Sequence, residues 1–166
     1  MTISLEVLAR IRGTVSAAPD AGTATCPISE SVTHTLANGT AADQANAVYV
    51  DAFSISASSS TSIDLAGSLT DPLNNAVVFT SVKSILLEAD STNTNNIILG
   101  NGTNPFVGPF GAGTHTVAVE PGGVALLATR SAAGWAVTAG TGDILKLANS
   151  GAGSAVTGRI VIVGEA

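Results

Sequence analysis

Apolar and polar positions alternate almost without interruption at the start of the chain. From Thr2 to Val15, Ile3, Leu5, Val7, Ala9, Ile11 and Val15 share one parity. Thr2, Ser4, Glu6, Arg10, Arg12 and Thr14 share the other, and Leu8 is the exception. A period of two places the apolar set on one face of a β-strand, whereas a helix needs apolar residues at three- and four-residue spacing. Residues 17–27 read as a loop, punctuated by Pro19, Gly22 and Pro27. Val32, His34 and Leu36 then alternate with Thr33 and Thr35 ahead of an Asn38-Gly39 turn signal.

Strand signals continue to the carboxyl end. Residues 41–47, rich in alanine, are the one place where a helical turn is expected. Residues 48–63 read as one or two strands interrupted by Ser58-Ser59-Ser60, and residues 65–75 as a loop. Over Val77–Glu88 the parity fails, since Val78 and Val82 oppose Phe79, Ile85 and Leu87. Either both faces of this strand are covered or a bulge shifts its register near Lys83. A polar connection, Ser91–Asn96, leads into Ile97-Ile98-Leu99, and a Gly/Pro-rich loop spans 101–113. Thr116–Val119 and Val124–Thr129 flank Glu120-Pro121-Gly122-Gly123, which reads as a hairpin because proline presets the first central φ and glycine accepts a positive φ at the second. Strands at Trp135–Thr138, Asp143–Ala148 and Ala155–Val163 complete the set. About eight to ten strands separated by Gly-rich turns predict an all-β, antiparallel β-sandwich, jelly-roll-like. No repeat or composition break divides residues 1–166, which read as one domain with residues 1–27 as an N-terminal strand or arm.

Composition narrows the function classes. Charged residues make up 11% of the chain, against about 25% in ordinary soluble domains. With 45% apolar residues, the chain does not fit the disordered class. Its apolar runs, such as Ile160-Val161-Ile162-Val163, fall far short of the about 20 residues that span a bilayer, and Met-Thr-Ile-Ser-Leu-Glu lacks the basic-then-apolar pattern of a signal peptide. The net charge of −6 and the scattered basic residues, Arg10 and Arg12 being the one close pair, disfavour nucleic acid as a partner.

Catalytic patterns are sparse. The single Cys26 cannot form an internal bridge and reads as a small apolar residue beside Pro27, with His34 the nearest candidate for a relay. One Cys and two His, His34 and His115, are too few for a zinc site. The spacing of Asp51, Asp64, Asp71, Glu88, Glu120 and Asp143 selects no catalytic pair. No enzyme, metal or cofactor is expected. Trp135 reads as core filling, while Phe106 and Phe110 suit burial and partner contact equally. With Ile3, Leu5 and Val7 of the first strand they form the candidate interface set.

Several segments carry a family resemblance: 64–71 (DLAGSLTD), 77–83 (VVFTSVK), 121–124 (PGGV), 136–143 (AVTAGTGD), 147–151 (LANSG) and 160–164 (IVIVG). Over roughly the last 100 residues the chain resembles small virion proteins of tailed bacteriophages, among them capsid decoration (cement) proteins. The resemblance implies a homotrimer made in the host cytoplasm and seated on the outer capsid surface, with the major capsid protein as partner, clamping adjacent capsomers. It carries no site residues. A head-fibre, tail or receptor-binding module that recognises cell-surface carbohydrate is the alternative. A charge-poor domain with long alternating strands exposes edges that a closed oligomer covers.

Overall fold

The computed structural model describes residues 2–166, which contain fourteen strands and no helix. Ten strands have four or more residues. The chain opens with two long strands, β1 (Ser4–Ala17) and β2 (Ala24–Asn38), paired along their whole length from Ser4↔Ala37 to Ala17↔Ala24. The expected loop at 17–27 therefore shrinks to a turn at 18–23. Pro27, read as a loop marker, sits in β2 opposite Thr14. Proline is tolerated there because the other edge of β2 is unpaired except where Ala37 and Asn38 meet the short β3 (Gln44–Ala45). The arm is thus a hairpin reaching to Asn38 rather than a single strand ending at residue 27. Residues 41–47 are a turn followed by strand, not helix, because Ala45 and Ala47 are drawn into buried strand positions.

The body is built from β4 (Ala47–Ile55), β5 (Ser60–Asp64), β8 (Ser81–Ala89), β9 (Ile97–Gly100), β10 (Thr116–Val119), β11 (Val124–Ala128), β13 (Ile144–Asn149) and β14 (Val156–Glu165). Three two-residue strands, β6 (Leu69–Thr70), β7 (Ala76–Val77) and β12 (Trp135–Ala136), decorate it. One sheet has the order β11-β8-β14-β4 and the other β10-β9-β13-β5, all antiparallel. Paired strands nest as β4 with β14, β5 with β13, β8 with β11 and β9 with β10, so the body is one long antiparallel ribbon rolled across two sheets. That is the double Greek key of a jelly roll.

This nesting corrects one expectation. The turn at 120–123 forms as its residues require, with Gly122 at φ 72 and the Gly123 amide donating to the Glu120 carbonyl at 2.8 Å. Its flanking strands do not pair, however. β10 joins β9 in one sheet and β11 joins β8 in the other, so the turn is a corner between sheets.

Between the sheets lies a core that includes Ile85, Leu87, Ile160 and Ile162 from one side and Ile97, Leu99, Leu145 and Leu147 from the other, all 0% exposed. Apolar residues on alternate positions of each strand account for this interface. The irregular parity of β8 has both of the anticipated causes. Val163 pairs with Ser84 but Gly164 pairs with Val82, so Lys83 is an extra residue in a bulge. A side chain at Gly164 would run into the Ser81 carbonyl, which is why glycine stands there. The outward face of β8 is also partly covered, as Ser84 is buried and Leu86 half-buried.

Candidate interaction surface

The sheet containing β8 is apolar on both faces over the half nearest the arm, while the outward row Val124, Glu88, Arg159 and Ala52 beyond it carries charge. Its outward positions form rows across four strands: Leu126, Leu86, Val161 and Val50, then Ala128, Ser84, Val163 and Val48. The other sheet turns residues such as Ser60, Ser62 and Lys146 outward, as a solvated face should. A doubly apolar sheet needs a second cover, and the root of the arm supplies part of it. Ile3 is 5% exposed and Leu36 2%. Leu5 and Val7 pack with Leu36, Ala45 and Val163.

Register decides what the rest of the arm presents. The pairs Leu5↔Leu36, Val7↔His34, Ala9↔Val32, Ile11↔Glu30, Gly13↔Ile28 and Val15↔Cys26 put one continuous stripe on one face of the ribbon. Its root lies on the sheet, but the stripe runs on past the body. Ile11 is 72% exposed and Val15 and Val32 are each 59% exposed. A groove of about 300 Å³ separates the root of the arm from the sheet, lined by Leu5, Val7, Leu86, Leu126 and Val161 among others. A second, lined by Val7, Ala9, Val32, His34, Leu126 and Ala128, marks where the ribbon leaves the sheet.

The arm is mounted by a charged clamp. Lys83, whose side chain is 0% exposed, reaches Glu165 at 2.6 Å and donates to the Ala41 carbonyl at 2.8 Å. The bulge that displaces Lys83 thus ties the turn joining arm and body to the last strand. Two bonds of 2.7 Å from the Arg130 guanidinium hold Asp43 on the same turn. This hydrogen-bonded pairing keeps the Asp43 carboxyl below its ordinary range and raises the guanidinium in return. The Ala37 amide donates to the Asp43 carbonyl at 3.0 Å, which continues the clamp into β2.

The six candidate interface residues divide. Ile3, Leu5 and Val7 lie at the root of the arm, where Ile3 is buried and Leu5 and Val7 contact the chain's own sheet. Phe106, at 1% exposure, fills the core, and Phe110 and Trp135 pack half-buried against it. None of the six belongs to the exposed distal stripe, whose large apolar members are Ile11, Val15, Ile28 and Val32 and which also holds Glu30 opposite Ile11. Ile11 and Val15 carry the parity already evident at Ile3, Leu5 and Val7. Alternation in β2 begins at Cys26 and Ile28, but Pro27 and Glu30 obscure it.

Other candidate chemistry disperses. Cys26 and His34 are eight residues apart on one extended strand, about 27 Å, too far for a relay. His115 bonds the Phe110 carbonyl at 2.8 Å. Asp71 caps its own turn, and its pKa is lowered by hydrogen bonds from the Asn75 side chain, then the Asn75 amide and then the Leu73 amide. Asp64 accepts from the Ala66 amide and Asp51 from the Tyr49 hydroxyl. Among the described residues no group of three or more His, Cys, Asp or Glu converges as metal ligands would. An open polar depression lined by Ser60, Ser62, Asn101, Thr103, Asn104 and Lys146 contains one charged side chain. No family model, no curated protein and no solved structure matches the chain.

Proposed function

We propose that this chain is a virion structural protein of the capsid-decoration kind. It sits on the outer shell with the major capsid protein as partner and works by covering surface across neighbouring subunits. The observation that carries this reading is the apolar stripe of the arm, which runs beyond the body and leaves Ile11, Val15 and Val32 largely exposed. A lone two-stranded ribbon is at best marginally stable in water, so a fold that keeps one at this length has a use for its free face. A jelly roll is compatible with many functions and adds no specificity. The low charge content suits a surface destined to be covered, and the phage-like segments direct the reading to a capsid.

The test is to add the purified chain to mature shells that lack it and image them by cryo-electron microscopy. Added density on the outer surface at three-fold or quasi-three-fold positions is the expected result. Failure to bind the shell, or density on a tail or fibre instead, overturns the reading.

A further inference from the structure

Two asparagines in the chain precede glycine, Asn38 before Gly39 and Asn101 before Gly102. Such a pair carries its own chemistry, because no side chain shields the glycine nitrogen from the asparagine side chain. In that reaction the glycine amide nitrogen attacks the asparagine Cγ. Cγ gains a bond to the backbone nitrogen and loses its bond to the carboxamide nitrogen, which leaves as ammonia with the proton of the glycine N–H. Solvent water then opens the five-membered imide. Opening at Cγ yields aspartate, and opening at the main-chain carbonyl yields isoaspartate, in which the chain runs through the former side chain. Nothing but water is consumed, so the fold decides which pair reacts.

The fold treats the two pairs oppositely. Asn38 ends β2, and its Oδ1 accepts from the Ile3 amide at 3.2 Å. The Gly39 amide, which would be the nucleophile, donates to the Ala45 carbonyl at 3.1 Å. Ile3 and Ala45 are both buried, so both reacting groups are tied into the arm root. Around Asn101 only the ends of the loop are held. Gly100 closes β9, and the Asn104 carbonyl accepts from the Asp143 and Ile144 amides at 3.2 and 3.1 Å. Between these anchors Asn101 is exposed. Among the described residues neither its carboxamide nor the Gly102 amide has a hydrogen-bond partner. Asn101 also stands at φ 56, so turning its backbone toward cyclisation gives up no bond and leaves a conformation that L residues seldom adopt. A Cβ placed on Gly102 would lie 3.5 Å from that of Lys146, whose positive charge favours loss of the amide proton. We infer that Asn101 is a site of spontaneous deamidation in the folded protein, and that the arm root shields Asn38 from the same reaction. The product places a carboxylate in the polar depression that holds Lys146, Ser60 and Ser62. Because both anchors of the loop stay in place, the reaction alters charge and leaves the fold standing.

The purified full-length chain tests this when it is held in warm, mildly alkaline buffer, folded in one series and unfolded in guanidinium chloride in another. Heavy-oxygen water marks every new carboxyl group, and peptide mass spectrometry with electron-based fragmentation locates the label and separates aspartate from isoaspartate. In the folded chain, conversion at Asn101 should outpace conversion at Asn38 by an order of magnitude or more. In the unfolded chain the two should convert at similar rates, because both are then bare Asn-Gly pairs. Asn101→Gln should abolish the reaction at that position, and Gly102→Ala should slow it several-fold by crowding the nucleophile. The converted protein, separated by anion exchange, should keep the urea midpoint of the starting material. Equal rates at both positions of the folded chain, faster conversion at Asn38, or an Asn101 that stays intact in the folded chain while the unfolded chain converts overturns the assignment. A converted protein that has lost its fold overturns the claim that the loop anchors hold.

Discussion

Lys83 shows how a single residue can couple the arm to the body. Its ammonium is buried between the Glu165 carboxylate and the Ala41 carbonyl, and an unpaired charge in such a place is far more costly than a paired one. Replacing Lys83 by Ala strands Glu165, whose side chain is 14% exposed, and should cost about 3–5 kcal/mol, the usual penalty for breaking a buried pair. Urea unfolding followed by the fluorescence of Trp135, the one tryptophan, measures it, and an unchanged midpoint removes the clamp. The double variant Lys83→Met with Glu165→Gln should recover part of the loss. Tyr49 offers a second probe, because it is the one tyrosine. Burial, then the hydrogen bond and charge of Asp51, push its phenol up to about 12. The raised value means that the protonated phenol favours the fold. That contribution is complete below about 10, the ordinary value for a tyrosine, and disappears as pH rises toward about 12. Absorbance at 295 nm should show ionisation near 12, and Asp51→Asn should move it down; ionisation of the unmodified chain near 10 contradicts the packing. Neither Lys83 nor Tyr49 announces these roles in the sequence: the partners of Lys83 come from distant segments, and although Asp51 neighbours Tyr49 on β4, the burial of the phenol depends on the packing around that strand.

At the scale of elements, legibility followed locality. The first strand, the break at Ser58–Ser60, the bulge near Lys83 and the turn at 120–123 were readable because each is written in adjacent residues: an alternation, a polar run, a parity fault, a Pro-Gly pair. Pairing was not readable from local chemistry. Pro121 and Gly122 specify a reversal, but whether β10 and β11 then pair or part into separate sheets is decided by β9, about twenty residues before β10, and β8, about forty before β11. Alanines at 41–47 suggested helix, yet Ala45 and Ala47 serve as small buried strand residues. Half of the arm was missed because a proline inside β2 reads as a breaker unless its edge is known to be free. The arm and body should also differ in dynamics, since the distal ribbon has no covering layer while β8 and β14 are central. In the chain at high dilution, amides at 10–16 and 25–31 should exchange orders of magnitude faster than those of β8 and β14. Equal protection in arm and body contradicts a free-standing ribbon.

The whole molecule is a self-sufficient jelly roll with an appendage that the body does not need beyond its root. Its main core cluster contains no residue of β1 or β2, and the arm's own buried contacts end at Val7 and Leu36. Stability and assembly should therefore separate cleanly. Replacing residues 10–31 by Asn-Gly joins Ala9 to Val32, which already face each other in register, through a two-residue turn that suits antiparallel strands. The shortened chain keeps Ile3, Leu5, Val7 and Leu36 on the sheet, together with the Lys83 and Arg130 clamps. Its unfolding midpoint in urea should match that of the full chain compared as a monomer, because most of the removed side chains are exposed and surface changes rarely exceed about 0.5 kcal/mol. Attachment to shells should be lost. A shortened chain that unfolds much more readily makes the arm part of the fold rather than a tool of assembly. One that stays as stable and decorates shells as tightly as before assigns shell binding to the jelly roll alone.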